Sequence, residues 1–128
     1  MDREETRALI RRYTAAWAAS DIDAWLSTFA LGATQEDPVG EGVRRGWEEI
    51  AGFWEQAMSS YDSIEIRERA IHMLDREAAL EWTIVARDGD EWVTFDGVDT
   101  FVFDHEPLIT AVRAFWDRNA RTRTAHRP

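Results

Sequence analysis

The spacing of large apolar residues changes near residue 60, and that change decides the fold class. Before it they recur every three or four positions, the repeat of a helix face; after it they alternate, the repeat of a strand. Leu9, Ile10, Tyr13 and Trp17 form one helical stripe between Arg3 and Ala19, with Tyr13 on the buried side. Ser20 and Asp23 have the spacing of a capping box, and Trp25, Leu26 and Phe29 continue the repeat as a second helix. The run from Ala33 to Asp37 stops at Pro38, which biases the residue before it toward extended geometry. It reads as a short strand, followed by a loop at Gly40 and Gly42. A third helix follows Gly46, with Ile50, Phe53, Trp54 and Ala57 on its apolar face, and ends near Ser59.

The second half is sheet. Ile64 and Ile66 alternate with Glu65 and Arg67, and Leu80, Trp82 and Ile84 with Glu81 and Thr83. Asp88-Gly89 suits a tight hairpin turn, a long strand runs from Glu91 to Asp104, and a last one runs from Leu108 to Trp116. Helices followed by antiparallel strands predict an α+β domain, with helices covering one face of a curved sheet, and argue against βαβ repeats. The 128 residues suit one domain, read as 1–117 with a basic, flexible tail over 118–128 that carries Arg118, Arg121, Arg123 and Arg127.

Charge narrows the partners. The 25 acidic residues outnumber 15 basic ones, all arginine, and the net charge of -10 repels phosphate backbones, so no nucleic-acid partner is expected. No run approaches a membrane span and no secretory leader is visible, so the expected setting is cytoplasmic, without a membrane partner. With 0 Cys there is no thiol chemistry. His72, His105 and His126 lack metal-site spacing, and Gly40-x-Gly42 lacks the third glycine of a nucleotide loop. No metal and no cofactor are expected.

One face of the long strand reads Val93, Phe95, Gly97, Asp99, Phe101 and Phe103, which sets a carboxyl in an oily row. An ionised carboxylate buried without a partner is costly, so such a group tends to keep its proton and to donate a hydrogen bond. An arginine partner, or a bulge near Gly97, would account for Asp99 equally well. The opposite face (Trp92, Thr94, Asp96, Val98, Thr100, Val102), with Val85, Ile109 and Phe115 elsewhere, keeps enough apolar area to suggest a homodimer, packing under a helix or the tail being the alternative.

The stretch GluAspProValGly at 36–40, Gly46 with the helix IleAlaGlyPheTrp at 50–54, and AspGlyValAspThrPheValPheAsp at 96–104 leading to AlaPheTrp at 114–116 together resemble ketosteroid isomerases. The likeness covers about residues 8 to 117. It implies the nuclear transport factor 2-like cone, a curved mixed, mainly antiparallel sheet and three N-terminal helices enclosing an apolar pocket. It implies movement of a β,γ double bond into conjugation with a ketone, with Asp37 as base and Tyr13 and Asp99 as hydrogen-bond donors to the enolate oxygen. Ketosteroid isomerase is itself the familiar illustration of a carboxylic acid held neutral, so that role comes from the resemblance, whereas the oily row is this chain's own feature. The implied pocket walls are Trp17, Phe53, Trp54, Trp82, Phe95, Phe101, Val112 and Trp116, which suit a fused-ring or similar hydrophobic substrate.

Some family members place further tyrosines behind the first; Phe29 and Trp54 stand at those positions here. Other readings on the same cone are a polyketide cyclase-like or dehydratase-like enzyme, or a non-catalytic hydrophobic-ligand-binding dimer module.

Overall fold

The computed structural model describes residues 2–128. Helix α1 (Arg3–Ala18) starts where the Asp2 carboxylate accepts the Glu5 backbone N–H, and its stripe of Leu9, Ile10, Tyr13 and Trp17 is buried. Helix α2 is shorter than the repeat suggests, Ile22–Leu26, and its cap is Asp21, not Ser20. The hydroxyls of Ser27 and Thr28 donate back to the carbonyls of Ala24 and Trp25 and close the turn. Phe29, expected on this helix, therefore opens strand β1 (Phe29–Glu36). Tertiary pairing overrides the local repeat there, since Phe29 registers against Ile109 and the Ile109 N–H donates to the Thr28 carbonyl.

Strand β2 (Arg44–Arg45) leads into helix α3 (Gly46–Ser60). The sheet then continues as β3 (Ser63–Met73), β4 (Glu77–Asp88), β5 (Glu91–Phe103) and β6 (Ile109–Phe115). Its order is β2-β1-β6-β5-β4-β3, antiparallel except where β1 runs parallel to β6. The fold is thus α+β, with three helices and a mixed, mainly antiparallel sheet. Among the described residues no helix is long and apolar enough to cross a membrane.

The C-terminal segment departs from the expected loose tail. After a short turn at Arg118–Ala120, strand β7 (Thr122–Thr124) pairs antiparallel with Trp92–Thr94 of β5. Its arginines find acids on a domain rich in them: Arg118 with Glu41, Arg123 with Asp88 and Arg127 with Glu65. Arg127 also lies over the Trp92 ring, and Arg67 donates to the Pro128 carbonyl. These contacts bracket Val85 on the outer face of β4, which is 1% exposed. Val85 and Ile109, counted from sequence toward an exposed apolar face, are both buried, Ile109 in register with Phe29 of β1, whereas Val102 and Phe115 remain exposed.

Candidate active site

Tyr13 projects from the buried side of α1 and is 3% exposed. Its ring meets Phe101 edge-on at 5.2 Å between centroids, with Phe29 and Trp25 each at 5.8 Å, so the phenol is fenced on three sides. Asp99 faces the same interior from β5, in register with Leu80 and Ala114, and is 4% exposed. Alternation along the strand places it with Phe95 and Phe101, as expected.

Asp37 lies one residue beyond β1, ahead of a cis Pro38, and not within the strand. The Val39 N–H donates to the Ala114 carbonyl and ties this segment to β6, and the Trp116 indole N–H donates to Asp37 Oδ1 at 2.7 Å. Its neighbour Glu36 turns the other way, accepting from Arg113 Nε and from the Gly40 N–H. Only Asp37 of the adjacent pair enters the interior.

One cavity of about 240 Å³ brings Tyr13, Asp37 and Asp99 together. Trp17, Phe53, Trp82, Phe95 and Trp116 line it as expected, joined by Ala57, Ile64, Ile66 and Ile84. Trp54, Phe101 and Val112 do not line it. Trp54 is one residue, roughly 100° of helix turn, from Phe53, and packs on Trp17 at 4.0 Å. Phe101 lies against Tyr13 and stacks on Phe103, with Val112 in register beside it. Sequence reading missed the polar lining: Glu41, Arg44, Gln56, Ser60, Tyr61, Arg118 and Arg121.

Gly97 has a structural duty here. A Cβ on it would come within 2.5 Å of the Trp82 ring and 2.8 Å of the Phe115 carbonyl. Its bare backbone leaves room for the Trp82 indole, a neighbour of Asp99. Gly97→Ala is expected to destabilise the fold by about 1–3 kcal/mol through overpacking, measurable as a lower urea midpoint.

Burial drives the electrostatics. It pushes the Asp99 carboxyl well above the usual carboxylate range, the nearby Asp37 charge adds to this, and the Trp82 indole N–H opposes it. Burial also pushes the Tyr13 phenol well up, the neighbouring carboxyl groups of Asp99 and Asp37 disfavour a phenolate further, and Trp25 opposes the rise. Neither the Trp82 nor the Trp25 N–H closes a hydrogen bond of regular geometry. Asp37 is half-buried and lines the cavity. Burial raises it to about 6, against the Trp116 hydrogen bond and the charges of Arg44 and Arg118. Asp37 thus titrates near neutrality, in the same cavity as two buried groups whose burial favours their protonated forms. Trp116→Phe removes the N–H but keeps a ring. It should move the Asp37 midpoint upward from about 6, seen as an alkaline shift of the acid limb of the pH profile.

The SnoaL-like domain model matches residues 10–112, most of the chain. The chain belongs to the SnoaL-like domain family. This family member is 31% identical over 112 residues to the steroid Delta-isomerase of Nocardioides simplex, covering 88% of this chain and 89% of that one. The solved Delta 5-3-ketosteroid isomerase of Mycobacterium sp. superimposes with a TM-score of 0.82 at 23% identity, over 94% of this chain and 98% of that one. The epoxide hydrolase/cyclase-like enzyme SalBIII superimposes with a TM-score of 0.84 at 22% identity, over 94% and 96% respectively. These structures establish the nuclear transport factor 2-like fold of this SnoaL-like chain.

Proposed function

We propose that this protein is a ketosteroid isomerase-like enzyme that moves a β,γ double bond into conjugation with a ketone. The observation that carries the reading is the meeting of Asp37, Tyr13 and Asp99 in one largely apolar cavity, with only Asp37 set to ionise near neutrality. The sequence likeness to a steroid Delta-isomerase supports the same reaction class.

Asp37 takes the proton from the carbon between the ketone and the double bond. The released pair moves onto the ketone oxygen, giving a dienolate whose oxygen accepts hydrogen bonds from the Tyr13 hydroxyl and the protonated Asp99 carboxyl. Such donors stabilise charge best when fixed in a dry site, and the aromatic fence around Tyr13 supplies both conditions. Asp37, now protonated, returns its proton to the γ carbon. Atoms and charge balance with no cofactor. The aromatic walls suit a small hydrophobic substrate with fused rings.

The test is incubation with a β,γ-unsaturated 3-ketosteroid, followed by the ultraviolet absorbance of the conjugated enone. Growth of that band, abolished in Asp37→Asn, supports the reading. A silent wild type, or a band that grows equally in the variant, defeats it.

A further inference from the structure

The catalytic carboxyl and phenol occupy the closed end of the cavity, but its open end carries an unusual charge pattern. The exposed or half-buried polar lining includes three arginines, Arg44, Arg118 and Arg121. Against them stand Glu41 and Asp37, since Asp99 is buried away from the mouth. Three positive groups thus face two negative ones, on a chain whose net charge is -10. Arg118 is committed: it pairs with Glu41 and lies over the Trp116 ring. The other two are not. Arg44 lies over the Phe53 ring at 5.0 Å and forms no ion pair among the described residues. Arg121 donates only to neutral oxygens, the Arg118 carbonyl and the Tyr61 hydroxyl.

Size points the same way. The cavity of about 240 Å³ is smaller than the roughly 300–1,000 Å³ of pockets that enclose a drug-sized ligand. A fused-ring ketone that reaches Tyr13 and Asp99 therefore extends its far end into the mouth, among Arg44 and Arg118, which lie over the Phe53 and Trp116 rings, and Arg121. A guanidinium held flat on a ring keeps its edge N–H donors free for a carboxylate.

We propose that the substrates of this protein carry an anionic group, a carboxylate, on the end remote from the ketone, and that Arg44 and Arg121 receive it. This rests on the isomerase reading for which end enters first, and it makes the two arginines determinants of specificity. The carboxylate meets two partly exposed cations, worth about tenfold in affinity together, and the gain is screened by salt.

The probes are a conjugated ketosteroid with a side-chain carboxylic acid on the ring remote from the ketone, and the methyl ester of that acid. Their dissociation constants are measured by quenching of tryptophan fluorescence, in the wild type and in the Arg44→Gln/Arg121→Gln double variant. The acid is expected to bind the wild type about tenfold more tightly than the ester at low salt, with the ratio falling toward one at about 0.5 M salt and in the double variant. Equal binding of acid and ester by the wild type overturns the proposal. So does a ratio that survives loss of both arginines, and so does failure of both probes to bind. The β,γ-unsaturated forms of the same pair report turnover separately. A preserved binding ratio without turnover upholds the anion subsite and defeats the isomerase reading.

Discussion

Asp37→Asn is expected to lower turnover of a β,γ-unsaturated ketone by about 10²–10⁴-fold or more while leaving the fold intact. The amide has nearly the shape of the carboxyl, so it can still accept from the Trp116 indole and fit against Pro38. What it loses is the capacity to take and return a proton. Stability should if anything rise, because burial already strains this carboxylate toward its protonated form. The sign follows from linkage. Folding raises the pKa of Asp37 from 3.8 to about 6, so its contribution to stability is full below about pH 4 and is lost as the pH climbs to about 6. The asparagine variant lacks that loss and should gain on the wild type over the same interval. Urea denaturation across that range, with turnover measured on the same preparations, separates the chemical effect from the structural one. The wild-type rate should rise with pH around a midpoint near 6, and the variant should show no such limb.

The second large effect is expected at the oxyanion donors. Asp99→Leu and Tyr13→Phe should each cost about 10²–10³ in rate. The two differ in what they do to the fold. Asp99 sits among Phe95, Phe101 and Leu80, so leucine replaces a buried polar group with one that matches its surroundings, and the variant should fold at least as well. Its advantage should grow as the pH rises above the ordinary carboxylate range, because wild-type Asp99, raised by folding, stabilises the protein only while it keeps its proton. Tyr13→Phe keeps the ring and its edge-on contact with Phe101, so stability should change little. If either variant unfolds while its folded fraction keeps full activity, that residue is structural and not a donor to the substrate.

The parts of this site that were legible in sequence are those set by local periodicity. A helix stripe put Tyr13 inside and strand alternation put Asp99 inside. Of the eight walls that the resemblance implied, five line the cavity. Trp54 and Phe101 do not, because a residue can face inward and still be covered by other aromatic rings. The end of α2 was misplaced because Phe29 obeys strand pairing with β6, a contact 80 residues away in sequence. The arginine-lined mouth had no local signature at all. Glu41 and Arg118 meet across the chain, and the tail that delivers Arg118 and Arg121 is fixed by pairing with β5. Resemblance supplied the roles proposed for Asp37, Tyr13 and Asp99; their common cavity comes from the packing, and burial raises all three.

The account depends on Asp99 remaining a neutral acid while Asp37 ionises within the same cavity. Carbon-13 labelling of aspartate, with Asp99→Leu and Asp37→Asn used to assign the two side-chain carboxyl resonances, reads both protonation states directly as pH is varied. The predicted result is an Asp37 signal that titrates near 6 and an Asp99 signal that stays at the protonated position throughout that range. An Asp99 resonance that titrates near the ordinary carboxylate value would contradict the account.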